Sequence, residues 1–187
     1  MRVIGGIARG HRLLSPKGTA VRPTSDRVRE AIFSSIQTRL ANAVVLDLFA
    51  GAGTLGIEAL SRYAQKVIFV DSAHLQMDLI RENLIKTRLE KNAELLQKDC
   101  ETAIKHLKSR KVMFDLVFAD PPYRQGYIEK TIRWLSEAAV VKEDGLVVVE
   151  FGYEEAIPEI VEDFRQISLR KYGTTGVAYY SRKEGNK

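Results

Sequence analysis

A carboxylate, two prolines and an aromatic ring stand together at Asp120-Pro-Pro-Tyr123. They follow the apolar run 114–119, whose length and composition predict a buried strand. Consecutive prolines cannot continue a sheet ladder, and they stiffen the backbone into an extended turn. In open α/β sheets, ligands bind at the carboxyl ends of the strands. The tetrapeptide is therefore expected to hold its carboxylate and ring rigidly against a planar, amine-bearing group such as a nucleobase.

A glycine-rich loop supplies a second candidate site. Gly51-Ala-Gly53-Thr-Leu-Gly56 matches G-x-G-x-x-G and follows another apolar run, 43–49. Glycines at this spacing allow a tight turn and a close approach of the backbone to a ligand. Asp71 lies 20 residues after Gly51, where its carboxylate can accept hydrogen bonds from ribose hydroxyls. By itself the motif is also typical of a nicotinamide dinucleotide site, or of a simple strand-to-helix turn.

Two further acids favour a cationic ligand at this loop. Asp47 lies inside the predicted strand, where its charge suits an ammonium group better than a pyrophosphate. Asp99 follows the third predicted strand and can contact an adenine amine, although Asp at such a position also caps helices. Three carboxylates around one pocket suit S-adenosylmethionine, which carries a sulfonium, an ammonium, a ribose and an adenine. Cys100 is most simply a small buried residue.

The elements that must position these residues alternate after residue 40. Apolar runs predict strands at 43–49, 67–70, 93–96, 114–119 and 146–151, and helical spacing predicts helices at 54–64, 75–84, 101–109 and 126–138. This rhythm predicts a mostly parallel sheet with helices on both faces. Segments 166–172 and 177–181 flank a glycine-containing turn and predict a C-terminal antiparallel hairpin.

The N-terminal segment breaks this rhythm and is basic. Segments 3–4 and 12–14 flank a glycine-rich turn and predict a small hairpin. Thr24 or Ser25 is expected to cap a helix whose apolar face is Val28, Ile32, Phe33 and Ile36. Residues 1–40 hold eight Lys or Arg against two acids, a net charge of +6, whereas the whole chain carries +5. A basic segment on a nearly neutral body favours an anionic polymer as partner, although the same charge also suits a merely solvated surface.

Composition bounds the class of protein. The 187 residues fit one domain with a small appendage. A single cysteine excludes an internal disulfide, and no run approaches the length of a membrane span, so we expect a cytoplasmic protein. The three histidines are scattered, and no spacing predicts a metal site.

The motifs together resemble a known family. Asp47-Leu-Phe-Ala-Gly-Ala-Gly53 with Asp120-Pro-Pro-Tyr123 resembles the Rossmann-like, S-adenosylmethionine-dependent class I methyltransferases that modify exocyclic amines. The run 22–33, Arg-Pro-Thr-Ser-Asp-Arg-Val-Arg-Glu-Ala-Ile-Phe, resembles the signature of the RsmD family, which methylates a guanine N2 amine of 16S ribosomal RNA. The resemblance covers nearly the whole chain.

The resemblance implies a fold and a set of site residues. It implies a seven-stranded sheet, with residues 1–40 as an RNA-binding extension packed on a methyltransferase domain at 41–187. The expected catalytic residues are Asp120, Pro121 and Tyr123, and the expected cofactor-binding residues are Asp47, Phe49, Gly51, Gly53, Asp71, Asp99 and Cys100. The partner is 16S ribosomal RNA, free or within the small subunit or an assembly intermediate. We expect its phosphates to contact Arg9, Arg22, Arg27 and Arg29.

Other functions remain open from the sequence. Related tetrapeptides occur in methyltransferases that modify adenine N6 of DNA or glutamine of proteins. The basic N-terminal segment argues against a protein substrate but does not separate RNA from DNA. A non-catalytic RNA-binding module with a vestigial cofactor fold would need none of the four acids, all of which are intact. A dehydrogenase would leave Asp120-Pro-Pro-Tyr123 without a role.

Overall fold

One sheet organises the molecule. The computed structural model describes residues 1–15 and 25–182. Its strands are β1 (Val44–Leu48), β2 (Lys66–Asp71), β3 (Ala93–Gln97), β4 (Phe114–Ala119), β5 (Val141–Gly152), β6 (Ile160–Val161), β7 (Phe164–Tyr172) and β8 (Thr175–Arg182). Its α-helices are α1 (Asp26–Ser35), α2 (Thr54–Ser61), α3 (His74–Thr87), α4 (Cys100–Ser109) and α5 (Tyr127–Ala138), with 3-10 turns at Gln37–Arg39 and Glu90–Asn92. The predicted alternation of strands and helices is present, and β5 begins five residues before the expected start.

The strand order is β3-β2-β1-β4-β5-β8-β7-β6. Strands β1 to β5 pair in parallel, and β8 then joins β5 in the antiparallel sense. From β1 the chain winds outward to β3 and returns to place β4 on the other side of β1. The order therefore reverses between β1 and β4, and a crevice opens there at the carboxyl ends of the strands.

Each face of the sheet covers its own apolar core. Side chains alternate along a strand, so Val45 and Phe118 pack on the face of α1, α2 and α3, whereas Leu46 and Val117 pack on the face of α4 and α5. The inner strands are buried on both faces, which explains their continuous apolar runs. Alternation also places Asp47 on the face of α1, because it follows Leu46 in β1.

The sheet has eight strands in the described residues, not the expected seven. Ile160 and Val161 form the extra strand, and they pair with Arg165 and Phe164 at the outer edge of β7. A strand of two residues is too short to show an alternation of apolar and polar side chains. It could therefore not be predicted from the sequence.

The N-terminal segment forms a short antiparallel pair rather than a hairpin of regular strands. Its arms meet at the bridge between Arg2 and Arg12, and the Val3 amide donates to the His11 carbonyl at 3.0 Å.

Some amides between the two arms bind α2. Those of Ile4 and Gly5 donate to the Glu58 carboxylate at 2.7 and 2.8 Å. The amide of Ala8 donates to Ser61 Oγ at 2.9 Å. These bonds fix the paired segment on α2.

Helix α1 follows the predicted pattern. Ser25 caps it, because its Oγ accepts a hydrogen bond from the Val28 amide at 3.3 Å. The four residues of the predicted apolar face are buried in the same core as the N-terminal segment, namely Val28, Ile32, Phe33 and Ile36. The alternative cap Thr24, and Arg22, lie outside the described residues. The division at residue 40 into two functional units stays a prediction.

Candidate active site

The candidate site lies where β1, β2 and β4 end together. Leu48 of β1 is in register with Val70 of β2 and with Ala119 of β4. The glycine loop, Asp71 and Asp120 follow these three positions within a few residues. The two motifs that are 69 residues apart in the sequence, counted from Gly51 to Asp120, thus meet at one edge of the sheet.

The loop between β1 and α2 adopts an unusual backbone. Phe49, Gly51 and Gly53 have φ values of 55°, 54° and 75°. Glycine tolerates this region, but phenylalanine does not favour it, and such strain clusters at functional sites. Gly56 is required for another reason: a Cβ there would lie 2.2 Å from Cε1 of Phe69, so α2 could not pack on β2.

Asp71 and Asp99 each bind backbone amides. Asp71 Oδ2 accepts from the Gly51 amide at 2.9 Å, and Oδ1 accepts from the Ala73 amide at 3.0 Å. Asp99 caps α4 by accepting from the Thr102 amide at 2.8 Å, and this hydrogen bond lowers the pKa of Asp99. A carboxylate has acceptor capacity beyond these bonds, so both groups can also accept hydroxyl or amine hydrogens from a ligand.

Asp47 lies behind the glycine loop. It is 2% exposed, and its Oδ2 accepts a hydrogen bond from the Gly56 amide at 2.8 Å. Burial raises the pKa of Asp47 to about 8, although the Gly56 bond opposes this shift. At neutral pH the group is therefore largely protonated in the free protein, and a cation placed beside it would favour its charged form.

The tetrapeptide continues directly from β4. The Asp120 amide still donates to Leu48 of β1, at 3.4 Å, while Pro121 is buried and Tyr123 is 42% exposed. The Tyr123 ring lies over the end of β5, where a Cβ on Gly152 would come within 3.2 Å of Cδ2 of the ring. Burial, followed by the charges of Glu150 and Asp47, raises the pKa of Asp120 well above its usual value. A carboxyl and a ring are thus presented side by side at the edge of the sheet.

A cavity of about 410 Å³ opens beside these residues. Four of the predicted cofactor residues line it, together with one proline of the tetrapeptide: Phe49, Asp71, Asp99, Cys100 and Pro122. The volume suits a small-molecule ligand. Asp47, Gly51, Gly53, Asp120, Pro121 and Tyr123 stand outside the lining, at or behind its edge. Burial raises the pKa of the Cys100 thiol to about 12. The thiol is therefore uncharged, and it lines the cavity without acting as a nucleophile.

The residues of one wall of the cavity were not predicted from the sequence. Tyr127, Lys130 and Trp134 of α5 line it. The Tyr127 ring meets Phe49 edge-on, with 5.8 Å between centroids, and Lys130 Nζ lies 5.2 Å from the Tyr127 centroid. The three residues are spaced three and four apart and so share one helix face. That spacing, directly after the tetrapeptide, is the signal that could have identified them.

The predicted RNA-binding arginines do not share one environment. Arg9 and Arg27 are exposed. Arg29 is completely buried, and its Nη2 donates to Asp26 Oδ1 and to the Arg2 carbonyl, each at 2.7 Å. Its expected contact with RNA phosphates is therefore wrong. The cause is helical period: Arg29 precedes Phe33 by four residues and lies on the same inward face.

The fold and this site define a Rossmann-like methyltransferase, the class that takes its methyl group from S-adenosylmethionine. The family model described as "Conserved hypothetical protein 95" matches residues 1–181. The chain belongs to this family, which is the RsmD family.

Similar proteins agree with this assignment. The chain is 38% identical to the "Putative rRNA methyltransferase YlbH" of Bacillus subtilis, over 98% of this chain and 100% of that protein. It is 32% identical to "Ribosomal RNA small subunit methyltransferase D" of Escherichia coli, over 98% of this chain and 90% of the relative. The solved structure "Putative methyltransferase yhhF from Escherichia coli" superposes with a TM-score of 0.85 at 32% identity, covering 98% of each chain.

The described residues contain neither a membrane-spanning helix nor a cluster of metal ligands. None of the helices that the structure describes is both long and apolar enough to cross a bilayer. Residues 1–15 and 25–182 bring together no group of three or more His, Cys, Asp or Glu side chains that could hold a metal ion.

Proposed function

We propose that this chain transfers a methyl group from S-adenosylmethionine to the exocyclic N2 amine of a guanine in 16S ribosomal RNA. The observation that carries the proposal is the position of Asp120-Pro-Pro-Tyr123 beside the glycine loop and the cavity. Membership of the RsmD family and the names of the relatives support ribosomal RNA as the substrate.

The cavity residues suit the cofactor. Asp71 and Asp99 are placed to accept hydrogen bonds from ribose hydroxyls and an adenine amine, and the rings of Phe49 and Tyr127 supply apolar contact for a flat base. Asp47, behind the loop, offers a carboxyl to a cationic group. S-adenosylmethionine, when bound, supplies an electrophilic methyl group on a sulfonium.

The tetrapeptide orients the target amine. That amine is a poor nucleophile because its lone pair is delocalised into the base. The Asp120 carboxylate and the Pro121 carbonyl can each accept one of its N–H groups, which aims the lone pair toward the cofactor. Tyr123 can stack on the face of the base, an interaction worth about 1–3 kcal/mol. Alignment of this kind can contribute about 7–11 kcal/mol to lowering the barrier.

The exposed arginines provide the contact with the polymer. Arg9 and Arg27 are free to reach solvent and can neutralise phosphates, and Arg22 lies in the same segment of the sequence. Residues 1–40 then act as an RNA-binding extension on the methyltransferase domain at 41–187. A guanine inside a duplex would have to be extruded, so an unpaired target is favoured.

The proposal is tested by transfer of a tritiated methyl group to unmethylated 16S ribosomal RNA and to small subunits, followed by nucleoside analysis. We expect label in N2-methylguanosine with the wild-type chain and a loss of at least a hundredfold with Asp120→Asn. Glu94→Gln is the control, because Glu94 pairs with Lys66 and Arg110 at the opposite end of the sheet. Label on adenine N6 would overturn the guanine assignment, and transfer to DNA alone would overturn the RNA assignment.

A further inference from the structure

A buried carboxylate that the mechanism above does not use stands beside Asp120. Glu150 belongs to β5 and is 3% exposed. The last registered pair between β4 and β5 is Ala119 with Val149, so Asp120 and Glu150 each follow one residue later. Neighbouring strands lie about 4.8 Å apart, and side chains at matching positions point to the same face. The two carboxyl groups are therefore neighbours on the face of α1.

The buried Arg29 of α1 interacts through its charge with Glu150. Its Nη2 is bound to Asp26 and to the Arg2 carbonyl, whereas its Nε and Nη1 have no hydrogen-bond partner within residues 1–15 and 25–182. Burial lowers the pKa of Arg29, and the negative charges of Asp26, Glu58 and Glu150 oppose that shift. A fully buried cation is costly unless anions surround it, so these carboxylates stabilise the charge of Arg29.

We propose, resting on the function proposed above, that Glu150 is a positioning residue for methyl transfer: it keeps Asp120 aimed at the target amine and ready to accept its proton. Glu150 is buried on the neighbouring strand, so it is expected to act through Asp120. Burial, followed by the charge of Glu150 and that of Asp47 when it is ionised, raises the pKa of Asp120 and so makes it a stronger base than an ordinary aspartate.

The proton balance of the reaction needs such a base. As the nitrogen–carbon bond forms, the carbon–sulfur bond breaks and its electron pair goes to sulfur. The amine nitrogen gains the positive charge and then loses one proton to the Asp120 carboxylate, which becomes a neutral acid. The proton passes to solvent water when the methylated base leaves. A base with a raised pKa takes this proton more readily than one at its ordinary value.

Other charged groups near Asp120 and Glu150 also affect the pKa values of this cluster. Asp47 approaches from β1 and disfavours the ionised form of Asp120. Glu58 of α2 and Asp26 of α1 act on Arg29, and Arg62 pairs with Glu58 at 2.7 Å. Among these groups, only Glu150 and Asp47 raise the pKa of Asp120 through their charge. Asp47 also accepts a hydrogen bond from the Gly56 amide of the glycine loop. Glu150 is therefore the residue to substitute.

The first experiment measures the protonation of Asp120 without catalysis. Carbon-13 NMR of aspartate-labelled protein gives the titration midpoint of the Asp120 carboxyl, assigned by the signal lost in Asp120→Asn. We expect Glu150→Gln to move that midpoint down by about one pH unit, a tenfold weaker hold on the proton, because a neighbouring negative charge is removed. Glu94→Gln should leave it in place. If Glu150→Gln does not fold, Arg29→Met/Glu150→Gln removes both buried charges and should give the same downward shift.

The second experiment follows the pH dependence of kcat. We expect the acid limb of the wild-type profile to move to lower pH in Glu150→Gln by the same amount as the NMR midpoint. An unchanged NMR midpoint, or a uniformly lower kcat with no shift of the profile, would overturn the proposal and leave Glu150 a packing residue. Wild-type protein without methyltransferase activity would instead overturn the proposed function, while the NMR titration would still report on the carboxyl pair.

Discussion

The burial of Asp47 has a consequence that can be tested through the stability of the fold. Its folded-state pKa of about 8 lies above the ordinary value of 3.8. Between about pH 4 and pH 8 the folded protein therefore holds one proton more than the unfolded chain, and stability falls as the pH rises through this window.

We expect Asp47→Asn to flatten that dependence, by at most about 1.4 kcal/mol per pH unit. The measurement is the free energy of unfolding in urea at pH 5, 6, 7 and 8. Asp78→Asn is the control, because Asp78 is a surface carboxyl paired with Arg81. Parallel curves for Asp47→Asn and the wild type would contradict the assigned pKa.

Tyr123 allows a test of base stacking separate from cofactor binding. We expect Tyr123→Ala to lower kcat/KM for RNA by roughly 5- to 150-fold, corresponding to about 1–3 kcal/mol of lost stacking. Tyr123→Phe keeps the ring and should retain most activity. Calorimetry should give equal affinity for S-adenosylhomocysteine in all three proteins, since the Tyr123 ring stands outside the cavity lining. A weaker affinity in Tyr123→Ala would place the ring at the cofactor instead.

For single residues, the sequence predicted which side chains form the site better than it predicted the environment of each side chain. The carboxylates of the cavity and the tetrapeptide follow from strand ends and spacing alone, and four predicted cofactor residues do line one cavity. Arg29 was predicted to contact RNA because of its charge. Its position in the helical repeat instead places it on the buried face of α1. Glu150 gave no signal, since its neighbour Asp120 becomes visible only once the register of β4 and β5 is known.

Helix α2 is the element that fastens the N-terminal segment. The buried Glu58 carboxylate accepts the amides of Ile4 and Gly5 and also pairs with Arg62. Ser61 adds two more bonds, from the Ala8 amide and to the Gly5 carbonyl. The side chains of one helical turn thus hold the short antiparallel pair of the N-terminal segment in place.

We expect Glu58→Ala to destabilise the fold by about 3 kcal/mol, because two partly buried amides lose their buried acceptor. Urea unfolding measures the loss, and hydrogen exchange should quicken at the amides of residues 4 and 5. The matched control is Glu101→Ala, which removes an exposed pair with Lys105 and should cost less than about 0.5 kcal/mol. Equal effects of the two changes would show that Glu58 does not fasten the segment.

The alternating core elements were predictable because their periods are long and unbroken. Buried parallel strands read as continuous apolar runs, and helices between them repeat every three to four residues. The N-terminal arms pair over too few residues to form strands, and the sequence pattern does not reveal that α2 binds several of the amides between them. The strand Ile160–Val161 is too short to carry a pattern.

The charge distribution of the whole molecule bears on the proposed RNA partner. Exposed Arg9 and Arg27 belong to the segment with a net charge of +6. Each phosphate contact that is lost should lower the slope of log affinity against log salt by roughly 0.7–0.9.

We therefore expect Arg9→Gln and Arg27→Gln each to weaken RNA binding and to reduce that slope, as measured by filter binding from 50 to 300 mM salt. Arg110→Gln is the control, because Arg110 pairs with Glu94 far from the carboxyl ends of the strands. An unchanged slope in both variants would exclude these arginines from the interface.

Methylation of a guanine N2 amine of 16S ribosomal RNA is the activity that we propose for this chain. It can be tested by mass-spectrometric mapping of modified nucleotides in ribosomal RNA from a strain lacking the gene. We predict that one N2-methylguanosine of 16S ribosomal RNA is missing, that the wild-type gene restores it and that the Asp120→Ala gene does not. An unchanged set of modified guanines, or a missing methyl group on another base, would contradict the proposed activity.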